Sequence, residues 1–493
     1  MATIFGILLY FSFIITAGII FSRRNNSLKD YIIGDRSNNV WVTAISAQAS
    51  DMSSWLLMGL PGVLYFSGLG AASGVWTALG LIIGTSLNWH FVAEKLRRYS
   101  ALAGDSITLP EYFENRFSDP TKLLRIISGV IIIVFCTLYT ASGLNAGGKL
   151  FSIILPQLEY QTAMLITLLI VVVYTVIGGF KAVCWTDLFQ GLLMFFAIII
   201  IPSTVYSMID PVEAVKNIEL AGEGYFSLLK QTNGEALPIM SIINDMAWGL
   251  GYFGLPYVLI RFMAAKQPES IKTSKRIAIV WVTITLVASC FLGIVGRMYF
   301  GNSFLNNPSA AETIFVELAL KTCAPFFAGI LISAILAALM STADSQLLSA
   351  SSSFTNDIVK LVYKGKLSNK AEVAASRGCI VVISIIAALM ALDKNQTVMS
   401  MVQYAWAGFG AAFGPLVLLS LFSRRMNYQG AIASMITGFV VTVVWNKFLA
   451  EATGVYELIP GFLLALVVGI IVSYSTKAPS QKVVALYDSL RKG

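Results

Sequence analysis

AISAQASDMSSWLLMGLPG, residues 44–62, sets a carboxylate, Asp51, and a cluster of hydroxyls in the middle of an apolar stretch long enough to cross a bilayer. An ionisable group at that depth is costly unless a partner or ligand compensates it. Asp51 is therefore the first candidate functional residue. The composition around it agrees: of 493 residues 57% are apolar and only 12% charged, and the mean hydropathy is +0.76. Such a chain is all-α and polytopic in a membrane, with no aqueous domain of any size left over.

A hydropathy pass with a window of about 19 residues gives thirteen spans, at roughly 2–22, 39–67, 71–94, 126–153, 161–179, 184–208, 239–264, 277–300, 325–354, 375–392, 396–422, 429–450 and 457–476. They are numbered one to thirteen below. The N-terminus is apolar at once and lacks a charged leader or a small-residue cleavage site, so span one reads as a retained helix. Most of the 34 basic residues fall in alternate loops. Loop one carries Arg23, Arg24, Lys29 and Arg36, and loop three Lys95, Arg97, Arg98, Arg116, Lys122 and Arg125. Loop five has Lys181, loop seven Arg261, Lys266, Lys272, Lys275 and Arg276, and loop nine Lys360, Lys364, Lys366, Lys370 and Arg377. Loop eleven has Arg424 and Arg425, and the tail Lys477, Lys482, Arg491 and Lys492. Because lysine and arginine collect on the cytoplasmic side, the N-terminus is expected outside and the C-terminus inside the cell membrane. The acidic loop at 209–238 is then external.

The net charge of +8 thus reflects membrane topology and not a nucleic-acid face, since the charges sit in short loops. Five scattered cysteines without CxxC spacing support neither a disulfide framework nor a zinc site, and the single His90 excludes histidine-cluster metal chemistry. A channel would need a filter loop or a ring of charges, and neither is visible. A membrane sensor would need an output module, and an intramembrane enzyme a nucleophile with its base. A transporter fits best, with a small-molecule substrate, no catalytic residue and no protein partner evident.

Transporters commonly bind where two helices at corresponding positions of an inverted repeat are interrupted. Span two carries SDMSSW (50–55) and GLPG (59–62); span seven carries WGLGYFGLP (248–256). These spans are five apart, an odd offset, so spans two to six and seven to eleven form an inverted five-plus-five repeat. The expected divisions are 1–38 (an extra helix and first loop), 39–208 (first repeat), 209–238 (external loop), 239–422 (second repeat) and 423–493 (two further helices and a tail). A broken helix frees backbone carbonyls, tolerated at mid-membrane only where they line a cavity. Carbonyls and hydroxyls suit a small hard cation. Span nine adds oxygen in AALMSTADSQLLSASSS (337–353), where Ser341 and Thr342 lie three and four residues beyond Ala338 and share its face.

AISAQASDMSSWLLMGLPGVLYFSGL (44–69), LPEYF (109–113), IGGFKAVCWTD (177–187), WGLGYFGLP (248–256), SAILAALMSTADSQLL (333–348) and YAWAGFGAAFGP (404–415) closely resemble the sodium/solute symporter family, over essentially the whole chain. The resemblance implies a sodium site made by the carbonyls of Ala49, Met52 and Ala338 and the hydroxyls of Ser341 and Thr342, with sodium as the co-transported ion and Asp51 setting its affinity. It also implies that Asp187, with Ser345, takes part in a second sodium site or acts as a helix-start carboxylate; Asp344 adds charge nearby or faces an internal water path. The implied cargo is L-proline, held by Ser53, Trp55, Gly59, Tyr139, Trp248, Tyr252 and Pro256, in an aromatic pocket of the kind small solutes need. Leu255 stands where a glutamine is expected before the proline, and Ser54 where a glycine is usual. Both departures bear on the substrate more than on the ion, and leave another amino acid, a sugar or a vitamin as the alternative cargo.

Overall fold

The computed structural model describes residues 1–22, 28–70, 74–363 and 367–491. Arg23, Arg24, Lys364, Lys366 and Lys492, counted above among the loop cations, lie outside the described residues. Among the described residues there is no strand, and eleven helices are long and apolar enough to cross a membrane. They correspond to spans one, three to six and eight to thirteen. The segments expected as spans two and seven are present too, each divided into shorter helices.

Span two begins at Asn39, whose side chain accepts from the Val42 amide and caps the helix Val40–Asp51. The helix stops at Met52 (φ −80°, ψ 80°). A π-turn over Trp55–Gly59 and a helix over Leu60–Ser67 then complete the crossing. The interruption therefore falls at Met52–Ser54, and GLPG, expected to share in it, is helical. Span seven runs as Ile239–Gly251, a 3-10 turn Tyr252–Gly254 and a second helix Pro256–Met263. Pro256 explains this break: proline has no N–H to offer the Tyr252 carbonyl four residues back, and it drives Leu255 to an extended conformation (φ −75°, ψ 107°). The orphaned Tyr252 carbonyl instead accepts from Asn88 Nδ2 at 3.0 Å.

The contacts between spans have the reciprocity of an inverted repeat. Span three packs on seven, and eight on two; six packs on nine, and eleven on four; six packs on two, and eleven on seven. Each contact recurs with both partners shifted by five. Span one lies against spans five, six and nine, outside this core, while spans twelve and thirteen pack on each other and on span eleven. Close approach of spans three and seven depends on glycine: a Cβ on Gly84 would lie 2.2 Å from the Gly249 carbonyl oxygen.

Several helices extend beyond their hydropathic limits because lysine and arginine can lie along a helix end and still reach water. The span-three helix continues through Lys95, Arg97 and Arg98 to Leu102, and span eight starts at Ile271, so Lys272, Lys275 and Arg276 are helical and not in a loop. Loop three folds into the helix Leu109–Phe117, capped by Thr108, which accepts from the Glu111 amide, while Glu111 accepts from the Ile107 amide. On the same face Arg36 donates to the Met263 carbonyl and to Ser106 O (2.8 Å), tying loops one and three to the end of span seven. Partial burial works against ionisation of Asp105, but the hydrogen bond from Lys29 (2.7 Å) and the Arg36 charge prevail and hold its carboxyl below the usual range.

Candidate functional site

About three turns of span two lead to the break, and there the chain gives up its own ladder. The Ser53 amide donates to the Asp51 carbonyl (2.9 Å) instead of Ala49, four residues back. The freed Ala49 carbonyl is met by span nine: Ser341 Oγ donates to it at 2.8 Å and Thr342 Oγ1 at 3.5 Å. Ser341 Oγ also lies 3.2 Å from the Ala338 carbonyl, one turn earlier on its own helix. Ala49, Ala338, Ser341 and Thr342 are all buried. Four of the five oxygens expected to cage an ion are thus gathered at one point. The fifth, the Met52 carbonyl, is at the break, where no hydrogen bond joins it to span nine among the described residues; the Met52 sulfur accepts from Thr285 (3.7 Å). Neutral carbonyl and hydroxyl oxygens on unwound backbone are the donor set for an alkali cation.

Asp51 lies two residues beyond Ala49 and is fully buried. Its Oδ2 accepts from the Tyr252 hydroxyl at 2.6 Å, and Oδ1 has no hydrogen-bond partner among the described residues. Its carbonyl accepts from Trp55 Nε1 and from the Tyr139 hydroxyl, each at 3.3 Å. Three side chains assigned to the substrate therefore converge on the residue assigned to the ion. This junction was not legible in the sequence, because it needs spans two, four and seven side by side.

The second broken helix supplies the aromatic walls. Trp248 and Tyr252 both face Trp406 of span eleven, with ring centroids 5.9 Å and 5.2 Å away, the second edge-on. Trp406 Nε1 donates to the Trp248 carbonyl (2.8 Å), and a Cβ on Gly251 would fall 1.9 Å from that nitrogen, so glycine is required where the ring crosses. Tyr139 packs edge-on against Tyr257, which follows Pro256 and in turn meets Phe409. Ser53 Oγ accepts from the Trp55 amide (3.4 Å). A Cβ on Gly59 would meet Met399 at the start of span eleven (3.4 Å) and Trp55 Cβ (3.5 Å). Sequence reasoning missed Trp406, Tyr257 and Asn88. A tryptophan within the glycine-rich YAWAGFG segment was the available signal for the first.

Asp187 and Ser345 meet through a guanidinium. Arg261 Nη2 donates to Asp187 Oδ2 (2.9 Å) and to Ser345 Oγ (2.5 Å), and Nε donates to Ser46 Oγ (2.7 Å). Ser46 Oγ in turn donates to Asp187 Oδ2 at 2.6 Å. Arg261 had been counted as a loop cation; it is buried inside the second half of span seven. Proximity of a cation to a span end is a poor guide to depth when the span itself is broken. Ser345 Oγ also donates to the Ser341 carbonyl (2.6 Å) and to Asp344 Oδ1 (3.3 Å), while Asp344 Oδ2 is buried with no hydrogen-bond partner among the described residues. Two carboxylates and one cation thus sit one helical turn from the Ser341 hydroxyl.

Comparison with known proteins is consistent across three kinds of match. The model of the family described as "Sodium:solute symporter family" matches residues 31–438. The high-affinity proline transporter PutP of Bacillus subtilis (strain 168) is 44% identical over 465 residues, covering 94% of this chain and 95% of that protein. The sodium/proline symporter of Escherichia coli (strain K12) is 41% identical over 478 residues, covering 94% and 91%. Among solved structures, a Na+-coupled sialic acid symporter in a substrate-bound outward-open state superposes with a TM-score of 0.78 at 20% identity, over 98% of this chain and 99% of that one. At that identity the likeness establishes the fold alone.

Proposed function

The chain belongs to the sodium:solute symporter family, and on that footing we propose that it couples inward sodium flux to uptake of L-proline by alternating access. The observation that carries this reading is the meeting of span nine hydroxyls with the freed carbonyl of span two, Ser341 Oγ 2.8 Å from Ala49 O. The names of relatives at 41% and 44% identity over nearly the full chain supply the cargo.

Sodium bound by Ala49, Met52, Ala338, Ser341 and Thr342 joins two helices of opposite repeats. The same turn of span two carries Asp51, whose side chain holds Tyr252 and whose carbonyl holds Trp55 and Tyr139. An ion that fixes this turn therefore also fixes the walls of the substrate pocket, and the coupling is a reciprocal free energy. Trp55, Tyr139, Trp248 and Tyr252 give the pyrrolidine ring apolar surface; Ser53, Gly59 and Pro256 complete the pocket. Arg261 takes the place between Asp187 and Ser345 that a second ion would need, which supports one sodium per substrate. One charge crossing about 100 mV releases about 2.3 kcal/mol, enough for roughly 50-fold accumulation before the sodium gradient is counted.

The topology that accompanies this reading has thirteen crossings, the N-terminus outside and the C-terminus cytoplasmic, in a bacterial-type inner membrane. It keeps the divisions at 38/39, 208/209, 238/239 and 422/423, and needs no catalytic residue. A second reading, a sodium symporter of another small solute, is favoured by Leu255, an apolar residue buried at the break of span seven. The test is uptake of labelled proline by purified protein in lipid vesicles after a sodium jump, with competing solutes in excess. Sodium-dependent accumulation competed best by proline is the expected result. Equal transport with choline in place of sodium, and no substitution by protons, would overturn the coupling; stronger competition by another solute would overturn the cargo.

A further inference from the structure

Span two holds a second orphaned carbonyl, just beyond its break. In the π-turn Trp55–Gly59 the Leu60 amide donates to the Trp55 carbonyl, five residues back, and so is not given to Leu56, four back. In the same register Leu56 would be served by residue 61, which is Pro61 and has no N–H. Ser289 of span eight makes good the deficit, its Oγ donating to the Leu56 carbonyl at 2.6 Å. That partner is unusual for a helix hydroxyl. Thr285, one turn earlier, donates to the Trp281 carbonyl of its own helix (2.9 Å), the ordinary arrangement for serine and threonine in a membrane helix.

The contact mirrors the one at span seven, where Pro256 orphans the Tyr252 carbonyl and Asn88 of span three donates to it. Exchanging the two repeats turns spans seven and three into two and eight, so the broken helix of each repeat is capped by the second helix of the other. Asn88 and Ser289 are both fully buried. Their helices are already in backbone contact: a Cβ on Gly293, one turn beyond Ser289, would lie 2.5 Å from the Pro61 carbonyl oxygen, as Gly84 approaches Gly249 one turn from Asn88. At this depth no water replaces a missing donor, and an unmet carbonyl is costly. Both capped carbonyls belong to the pocket walls. Leu56 follows Trp55 directly, and Tyr252 is the residue whose hydroxyl holds Asp51.

We propose that Ser289 and Asn88 are positioning residues for the substrate pocket, each donating to the carbonyl that a proline leaves unpaired and so holding Trp55 and Tyr252 in place in every state of the transport cycle. The inference rests on the proline reading above. An interaction kept in all states adds to affinity and not to turnover. Ser289→Ala and Asn88→Ala should therefore each raise the proline KM for sodium-driven uptake into proteoliposomes about tenfold, with kcat per folded protein within about twofold of the unmodified chain. Pro61→Ala returns an amide to the Leu56 carbonyl, so in that background Ser289→Ala should raise KM by less than about threefold. Thermal melting should show the same coupling, with Ser289→Ala lowering the melting temperature less in the Pro61→Ala chain than in the unmodified one. If Ser289→Ala alone melts too early for transport, the Pro61→Ala chain is the host in which it should survive. A lower melting temperature with unchanged KM, a kcat that falls while KM holds, or equal effects of Ser289→Ala in both backgrounds would each overturn the positioning role and leave the symporter reading intact. Absence of sodium-driven proline uptake by the unmodified chain would overturn that reading and the role built on it.

Discussion

Ser341→Ala tests the ion site most directly, because it removes one oxygen and little else. The Ser341 hydroxyl lies 2.8 Å from the Ala49 carbonyl and 3.2 Å from that of Ala338, and all three residues are buried. With sodium among them the hydroxyl oxygen faces a full charge in a dry site, an interaction contributing about 1.5–3 kcal/mol. At about 1.4 kcal/mol per decade, sodium half-saturation should rise roughly 10- to 100-fold. Thr342, 3.5 Å from the same carbonyl, makes the weaker contact, and its alanine variant should cost about 1 kcal/mol, or about fivefold. The assay is the initial rate of labelled proline uptake into proteoliposomes across a sodium series, with choline keeping ionic strength constant, and the proline KM measured at saturating sodium. Ser333→Ala is the control: that hydroxyl is equally buried on the same helix but only donates to Gly329 O of its own ladder (2.8 Å). An unchanged sodium dependence in Ser341→Ala, or a proline KM that moves as much as the sodium requirement, would refute the ligand assignment.

Three further outcomes follow from the same geometry. Trp248→Ala should raise the proline KM about tenfold or more, since burial of an aromatic ring is worth several kcal/mol, and Tyr252→Phe, which keeps the ring but strips Asp51 of its 2.6 Å donor, should shift the proline KM and sodium half-saturation together; if neither moves proline affinity, the pocket lies elsewhere. Arg261→Gln should lower stability by about 3–5 kcal/mol, as expected when one partner of a buried pair is removed, read by thermal melting in detergent; Asp187→Asn in the same chain should recover part of that loss, and a strictly additive pair would show that the two do not interact.

How well each feature could be read beforehand follows from what encodes it. Hydropathy carried the long helices, because about 20 apolar residues need no partner to be recognised as a crossing. The span-seven break is written locally: proline removes one specific amide, and the Tyr252 carbonyl must find another donor. The span-two break has no proline or glycine at Met52–Ser54, and GLPG was the more conspicuous but wrong position. What supports the break there is Ser341 and Thr342, nearly 300 residues away in sequence. Arg261 shows the same limit from the other side, since a basic residue near a span end reads as interfacial until Asp187, Ser46 and Ser345 are seen around it.

Composition, periodicity and the interrupted segments were enough to determine an all-α membrane chain, an inverted repeat and the residue types of the proposed cation site, because each depends on local solvation and backbone chemistry. Which oxygens face one another, that Asp51 joins the break in span two to Trp55, Tyr139 and Tyr252, and that a guanidinium sits between Asp187 and Ser345 were decided only by packing. Those facts depend on contacts between distant helices, and at mid-membrane, without water to satisfy them, buried polar groups take whichever partner the tertiary fold brings within reach.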